Sequence, residues 1–332
     1  MLPGFPNVII ADRLINSSDW LSIEPIKGNH HRIIFYSVKG GVGRSTALAA
    51  SAWALAEEGR KVMVIDLDLE SPGLSSSLLP EDKCPMYGVI DWLVEDLADN
   101  EQIVFDDMVS VSDLSRNGEI FVVPAHGKDP GEYIAKLGRA WVSKLIGNRV
   151  ETWQKRLSRL IDDLEKKWKP DIVLIDSRAG IDEISAACIS SLGAELILLF
   201  AVDSNQHWTG YDILFKRWGY NEAFRQVRDR LQIVGAMIPE KDDDKYKELL
   251  CEHAWNLFTA GLYETVNPEN SYLEPINYDK NDREAPHYPW PILWNTGFSV
   301  LSNLYEPLAE PTKKPLIMAV FGPLIENLKM VF

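Results

Sequence analysis

The chain has 332 residues, of which 46% are hydrophobic and 25% charged, an ordinary composition for a globular protein. Its formal net charge of −15 argues against non-specific DNA binding and against attraction to an anionic membrane, because both depend on basic surface. The three cysteines form no C-x-x-C pair, which fits a reducing cytoplasm and supplies no metal framework. No signal peptide is visible, and the longest apolar run, near residues 197–202, is too short to span a bilayer. We therefore expect a cytoplasmic protein.

The first thirty residues read as an extension that precedes the main domain. They include a short apolar patch, Val8–Ile10, which we expect to pack on the core or to add an edge strand. Residues 31–332 are predicted to form a single domain, with the sequence motifs in residues 31–240 and a helical and loop-rich part in residues 241–332.

The most informative stretch lies between a predicted strand at residues 32–38 and a predicted helix at residues 47–56. It consists of Lys39, Gly40, Gly41, Val42, Gly43, Arg44, Ser45 and Thr46. Glycines in this context let backbone N–H groups converge on phosphate oxygens, and the start of the helix adds attraction for an anion. The pattern indicates a phosphate-binding loop, with Ser45 placed to hold Mg²⁺. The alternative is a plain glycine turn between strand and helix.

Two further strands are predicted to end in carboxylates. Residues 61–68 form an apolar run that closes with Asp66 and Asp68, and residues 172–175 lead into Asp176. Gly180 follows Asp176 by four residues, which gives a Walker B pattern. In a parallel sheet such strand ends face the crevice where ligands bind. Each could also be an ordinary strand end with a solvated acid, but their order after the glycine loop favours a shared site.

Taken together, these motifs resemble those of the ParA/MinD family of P-loop ATPases, whose deviant Walker A motif reads K-G-G-x-G-K-[ST]. The resemblance covers about residues 31–240. It implies an α/β fold with a doubly wound, mostly parallel sheet flanked by helices. It also implies ATP or ADP and Mg²⁺ as cofactors, and a homodimer that encloses the nucleotide.

The resemblance further implies a role for each matched residue. Lys39 would reach across the dimer to the partner's ATP, and Asp68 would orient the attacking water. Ser45 and Asp176 would serve Mg²⁺ directly or through water, and Asp66 would support the ion through its water shell. The residues that would hold the phosphates are Lys39, Gly40, Gly41, Val42, Gly43, Arg44, Ser45 and Thr46, with Arg178 as a further candidate.

Two positions depart from the family pattern. Arg44 stands where the family has its second lysine, and an arginine is longer, planar and forked, so it does not simply replace a compact ammonium. We therefore expect nucleotide binding with weak turnover. Arg178 stands where many members have proline. It would either contact the γ-phosphate or the dimer partner, or form a surface salt bridge; the sequence leaves both possibilities open.

The remaining elements are predicted from their apolar patterns. Strands are expected near residues 120–125, 195–202 and 232–239, and a helix over residues 150–168 with Arg156 on a solvated, mixed-charge face. Residues 265–297 read as a long loop, in which Trp290 and Trp294 either anchor a partner or fill the core. The amphipathic end, residues 323–332, carries too few basic residues for a membrane helix, so we expect it to pack on the core.

Two functions from different classes follow from the sequence. The first is an ATP- and Mg²⁺-binding dimerisation switch with slow hydrolysis, acting on an unidentified protein partner without specific nucleic acid or membrane. The alternative is a hydrolysis-deficient nucleotide sensor or scaffold that regulates an effector in signalling or defence. A third hypothesis, a DNA-partitioning ATPase, is disfavoured by the acidic composition.

Overall fold

A computed structural model describes residues 20–26, 31–219, 223–241, 243–263, 277–299 and 304–331. Ten strands lie in this part of the chain. They are β1 (His31–Tyr36), β2 (Lys61–Leu67), β3 (Ser110–Val111), β4 (Glu119–Val123), β5 (Lys144–Ile146), β6 (Arg149–Glu151), β7 (Ile172–Ser177), β8 (Leu196–Ala201), β9 (Leu231–Ile238) and β10 (Trp290–Leu293).

The α-helices of the described residues surround these strands. They are α1 (Arg44–Glu57), α2 (Val89–Glu95), α3 (Glu101–Phe105), α4 (Tyr133–Ala140), α5 (Trp153–Trp168), α6 (Glu183–Ser191), α7 (Asn205–Gly219), α8 (Ala223–Val227), α9 (Asp243–Gly261), α10 (Thr296–Ser299), α11 (Tyr305–Ala309) and α12 (Lys314–Lys329). Among the residues that the structure describes, no helix is both long and apolar enough to cross a membrane.

Eight strands form one sheet in the order β10-β9-β8-β1-β7-β2-β4-β3, and β5 pairs with β6 in a separate hairpin. The pairs within the large sheet are parallel except for the short antiparallel pair of β3 and β4. The predicted α/β fold with a mostly parallel sheet is confirmed, and so are the strands predicted near residues 32–38, 61–68, 120–125, 172–176, 195–202 and 232–239.

Strand β1 shows why both faces of the sheet need helices. Ile34 and Tyr36 belong to an apolar cluster that includes residues of α5, α6 and α7. Ile33 and Phe35 point the other way, into a cluster built with α1 and α12. Because side chains alternate between the two faces of a strand, an almost unbroken apolar run must be covered on both sides. This two-sided burial produces the doubly wound arrangement.

The N-terminal extension is described only over residues 20–26. There the indole N–H of Trp218 donates to the carbonyl of Trp20 at 2.9 Å, and the amide of Glu24 donates to the carbonyl of Ser190 at 2.7 Å. Ile23 is buried. This segment therefore packs on the main body, whereas the apolar patch at Val8–Ile10 lies outside the described residues. The division of the chain at residue 30 stays a prediction.

The C-terminal part corrects one expectation and confirms another. Residues 290–293, predicted as loop, form the edge strand β10, which pairs in parallel with β9. Pro291 argued against a strand in the sequence, because proline is tolerated in a sheet chiefly at an edge, and β10 is an edge strand. Trp294, just beyond the strand, is 38% exposed. Helix α12 packs as predicted on the core: its buried residues include Ile317, Phe321 and Leu324.

The helix predicted over residues 150–168 is confirmed as α5. The prediction that Arg156 lies on its solvated face is wrong. Arg156, expected on a solvated face, is fully buried. Its Nε donates to Asp96 at 2.5 Å, and Lys144 and Arg159 also pair with Asp96, each at 2.9 Å. The physical reason is that a buried guanidinium is stable when an aspartate and several acceptors meet it, which sequence spacing does not reveal.

Candidate functional site

The glycine loop lies where three neighbouring strands end. β1 ends at Tyr36 and α1 begins at Arg44, and β7 lies between β1 and β2 in the sheet. Asp66 of β2 pairs in register with Asp176 of β7, so the carboxylates of the two predicted acidic motifs meet beside the loop. The sequence of apolar strand, loop and helix thus brings all three motifs to one edge of the sheet, as the carboxyl ends of parallel strands require.

The conformation of the loop explains two of its glycines. Gly41 has φ 78° and Gly43 has φ 76°, in the left-handed region that residues with a side chain rarely adopt. A Cβ built at Gly40, Gly41 or Gly43 meets no protein atom within 4 Å, so the space above the loop is open. The first N–H groups of α1 have no partner within the helix and point out of its N-terminal end. The loop and this helix end together favour an anion.

A cavity of about 490 Å³ opens over the loop. Its walls come from the glycine loop, from the ends of β2 and β7 and from Ser37. The lining residues are Ser37, Gly40, Gly41, Val42, Gly43, Arg44, Ser45, Thr46, Asp68, Ser71, Arg178 and Ala179. The volume and the polar lining suit a small anionic ligand.

Arg44 does not point freely into this cavity, because its side chain turns back onto the acidic strand ends. Its Nε donates to Asp176 Oδ1 at 2.5 Å and its Nη2 donates to Asp68 Oδ2 at 3.0 Å. A longer contact of 3.3 Å joins Nη1 to the hydroxyl of Ser37. Arg44 is only 6% exposed, so one buried guanidinium bridges two carboxylates from neighbouring strands. The forked shape of arginine makes this double contact possible.

Asp176 is engaged on both of its oxygens. Arg44 holds Oδ1, and the hydroxyl of Ser45 donates to Oδ2 at 2.5 Å. Burial raises the pKa of Asp176, while the charge of Arg44 and the hydrogen bond from Ser45 oppose that shift. The ion pair and the hydroxyl together stabilise the charged carboxylate in its buried position.

Asp66 shapes the loop that follows β2. Its oxygens accept the backbone amides of Asp68 at 3.0 Å and of Gly73 and Leu74 at 3.2 Å each. Burial, with a further contribution from the neighbouring charge of Asp176, raises the pKa of Asp66 to about 7. Its acceptor positions serve the fold of residues 68–74, and its predicted support of Mg²⁺ through water stays a prediction.

Asp68 has one oxygen in use and one without a partner. Arg44 contacts Oδ2, but Oδ1 is buried and has no hydrogen-bond partner in the described part of the chain. Since buried polar atoms are nearly always paired, an unpartnered carboxylate oxygen at the wall of a cavity indicates a place for a ligand or a water molecule. This agrees with the predicted role of Asp68 in orienting water, which stays a prediction.

Lys39 and Arg178 line two different spaces in the structure. Arg178 lines the cavity, and its guanidinium pairs with Glu70 at 2.6 Å and with Asp182 at 3.2 Å. Lys39 is exposed and lines a second space of about 530 Å³ with Ile181, Gln206 and other residues. The site thus contains every predicted residue except Lys39 on or beside one cavity. Lys39 is exposed and lies outside this cavity, and its predicted reach to a partner subunit stays a prediction.

Sequence reasoning missed some residues that shape the site. Ser37 accepts from Arg44, and the hydroxyl of Tyr133 in α4 donates to the carbonyl of Leu69 at 2.6 Å, which ties down the loop after Asp68. Ser37 directly precedes the glycine loop, so its position was a signal that could have been used. Tyr133 lies 64 positions from Leu69 and carries no local signal.

The residues fit a phosphate group better than they fit a metal ion. The open glycine loop, the helix end and the unpartnered oxygen of Asp68 leave room for an anionic ligand and its water. Oxygen donors such as Ser45 and Asp176 are of the kind that Mg²⁺ prefers. In this structure, however, Arg44 and Ser45 use both oxygens of Asp176, so the arrangement offers a metal ion no free carboxylate there.

Comparison with known proteins identifies the fold family. Residues 33–197 match the CobQ/CobB/MinD/ParA nucleotide binding domain. The nitrogenase iron protein 2 of Methanothermococcus thermolithotrophicus is 34% identical over 150 residues, which are 44% of this chain and 46% of that protein. The MinD septum site-determining protein of Buchnera aphidicola is 27% identical over 150 residues, 45% of each chain. The chain thus spans less than half the length of these curated relatives.

Solved structures agree on the fold. The pNOB8 ParA bound to nonspecific DNA has a TM-score of 0.54 at 13% identity, covering 90% of this chain and 99% of that chain. MinD of Aquifex aeolicus has a TM-score of 0.52 at 15% identity, covering 90% and 97%. The MinC:MinD complex of Aquifex aeolicus gives 0.53 at 15% identity, covering 91% and 95%. This protein therefore carries the P-loop fold of the ParA/MinD-type ATPases.

Proposed function

We propose that this protein is a nucleotide-dependent switch that binds ATP or ADP at the loop formed by residues 39–46. The observation that carries the proposal is the cavity over this loop, walled by Asp68, Arg44 and Arg178. The family match to a nucleotide binding domain supports it. Backbone N–H groups of Gly40 to Ser45 would cradle the phosphates, and the dipole of α1 would add attraction for their charge.

The proposed switch acts through a second copy of this chain. Lys39 is exposed beside the cavity, so its ammonium is available to a nucleotide bound by a partner subunit. If two copies of the chain bind each other more tightly when nucleotide is present, nucleotide would then shift the balance from monomer to dimer. The Aquifex aeolicus MinC:MinD complex shows that one protein of this fold binds another protein. A protein partner is accordingly part of the proposal for this chain.

Slow hydrolysis is the expected activity. Phosphoryl transfer depends mainly on positioning and on charge stabilisation. Asp68 is proposed to position the attacking water through Oδ1, which has no partner among the described residues. Because Arg44 holds the other oxygen at 3.0 Å, Asp68 is already committed to an ion pair. No step of the proposal depends on a metal ion, since the predicted ligands of that ion are engaged.

The same contact favours the second candidate, a nucleotide sensor with negligible hydrolysis. If Arg44 holds Asp68 and Asp176 in the bound state as well, nucleotide stays bound without turnover. The bound protein would then act by presenting a changed surface to an effector. The arginine, rather than any change in the glycine loop, is the feature that distinguishes the two candidates.

Phosphate release from ATP by the purified chain distinguishes them. We expect slow turnover in the unaltered protein, loss of turnover in Asp68→Ala, and faster turnover in Arg44→Lys with little change in nucleotide affinity. A lysine has a single ammonium and bridges two carboxylates less well than a fork does. Bound ATP without turnover above the Asp68→Ala background would favour the sensor. Failure of the unaltered protein to bind ATP or ADP would reject both candidates.

A further inference from the structure

We propose that the Arg44 guanidinium takes the place of a divalent cation in this site, so that nucleotide binds without Mg²⁺. The inference rests on the proposed nucleotide binding at the same loop. Among the residues that the structure describes, Asp68 and Asp176 share one counter-charge, and that charge is Arg44.

The position of Arg44 is set by the backbone. It is the first residue of α1 and follows Gly43, whose φ of 76° turns the chain into the helix. The side chain is then enclosed between the ends of β2 and β7, where it is 6% exposed. Removing it would leave the buried Asp176 and the partly buried Asp68 without the guanidinium that both contact, which is unfavourable. Displacing the guanidinium from this position is therefore unfavourable.

The contacts of Asp176 and Ser45 exclude a cation while Arg44 stays. A Mg²⁺ ion needs near-octahedral oxygen donors at about 2.0–2.1 Å. Asp176 gives one oxygen to Arg44 at 2.5 Å and the other to the Ser45 hydroxyl at 2.5 Å. A cation would have to displace Arg44 from Asp176 before it could bind there. The ion and the guanidinium thus compete for one carboxylate.

Arg44 can also contact the ligand from where it lies. A guanidinium has five N–H groups, and the contacts to Asp176, Asp68 and Ser37 use one each of its three nitrogens. Arg44 is also among the residues that line the cavity. The remaining N–H groups are available to a phosphate oxygen, which arginine binds well because its charge is planar and delocalised. One residue would thereby balance the carboxylates and bind the anion.

Lysine at this position would behave differently. A compact ammonium on a flexible stem does not bridge two carboxylates with fixed geometry. It would leave Asp176 free for a metal ion, and affinity for nucleotide would then depend on that ion. Metal independence is thus tied to the arginine itself, which makes it testable by substitution.

The test is calorimetric titration of the full chain with ADP, once in excess Mg²⁺ and once in excess EDTA. We expect the affinity of the unaltered protein to change by less than about threefold between the two buffers. In Arg44→Ala we expect at least about a tenfold loss in EDTA, because a carboxylate without its counter-charge opposes the phosphates. In Arg44→Lys we expect a loss of the same order, because a lysine does not bridge both carboxylates and nucleotide affinity then depends on a metal ion at Asp176. Arg139→Ala, an exposed arginine of α4, is the matched control and should resemble the unaltered protein.

The outcomes separate this inference from the proposed function. A tenfold or greater loss of ADP affinity in EDTA by the unaltered protein overturns the metal-free mode while leaving nucleotide binding intact. Equal affinities in both buffers for Arg44→Ala overturn the assignment to Arg44. Absence of ADP binding by the unaltered protein in both buffers overturns the proposed function itself. Thermal unfolding of each variant verifies that it is folded, and Arg44→Lys serves if Arg44→Ala is not.

Discussion

Two arginines of this protein, Arg44 and Arg156, are both buried but differ in what surrounds them. Each is nearly excluded from solvent and each donates Nε to an aspartate at 2.5 Å. The other nitrogens of Arg156 donate to backbone carbonyls, including that of Val142 at 2.7 Å and that of Leu93. Arg44 instead makes a long contact of 3.3 Å to Ser37 and lines a cavity.

The carboxylates around the two arginines differ in the same way. Asp96 is fully buried and is held by Arg156, Lys144 and Arg159. Asp68 has one oxygen on Arg44 and one with no partner among the described residues. A completely paired cluster stabilises the fold, whereas an incompletely paired one beside a cavity is prepared for a ligand. Completeness of pairing, and not burial, distinguishes the structural cluster from the candidate site.

The largest expected effect comes from breaking the complete cluster. Asp96→Asn removes the charge that Arg156 faces, and leaving one partner of a buried pair alone costs about 3–5 kcal/mol. The free energy of unfolding, measured in urea near neutral pH, should fall by that amount. The matched control is Asp163→Asn in α5, the helix that carries Arg156; its partner Lys166 has a side chain 75% exposed, and the expected cost is below about 1 kcal/mol. An equal cost for both variants would contradict the comparison.

The same cluster should also show a defined pH dependence. Burial by itself raises the pKa of Asp96, but the hydrogen bonds and charges of Arg156, Lys144 and Arg159 outweigh it and hold the pKa below the usual aspartate value. A carboxyl whose pKa is lower in the folded state stabilises that state above the unfolded pKa, and this stabilisation is lost as pH falls towards the folded pKa.

The expected result is a gap in unfolding free energy between the unaltered protein and Asp96→Asn that depends on pH. The gap should be constant from neutral pH down to about pH 5 and then narrow below about pH 4. Urea unfolding across this range measures it, with Asp163→Asn as the reference for general acid effects. A gap that widens as the pH falls would show that the sign of the pKa shift is wrong.

Much of the fold could be predicted because it rests on local patterns. Apolar runs such as residues 172–175 and the glycines at 41 and 43 identify strands and turns from the residues themselves. The convergence of Asp66, Asp68 and Asp176 followed from the rule that parallel strands end at one edge of a sheet. The glycine loop was predicted between a strand and a helix, and it lies between β1 and α1.

The rest depends on contacts between distant positions, which local patterns do not encode. Strand β10 is recognisable only through its pairing with β9, since the sequence Trp290–Leu293 contains a proline. The burial of Arg156 depends on Asp96, sixty positions away. The direction of Arg44 likewise depends on Asp176, 132 positions on. The sequence identified Arg44 as a departure, but only the structure shows which carboxylates it contacts.

The smallest expected change in stability tests the incomplete cluster. In Asp68→Asn the amide oxygen can still accept from Arg44, and the amide nitrogen replaces an oxygen that no described residue contacts by a hydrogen bond. We therefore expect a loss of unfolding free energy below about 1 kcal/mol. Turnover of ATP should nevertheless fall to the Asp68→Ala background, because a neutral amide does not orient and polarise water as a carboxylate does. Urea unfolding and phosphate release on the same preparation measure both effects. A stability loss as large as that of Asp96→Asn would mean that Asp68 is a structural residue, and the distinction between the two arginine clusters would fail.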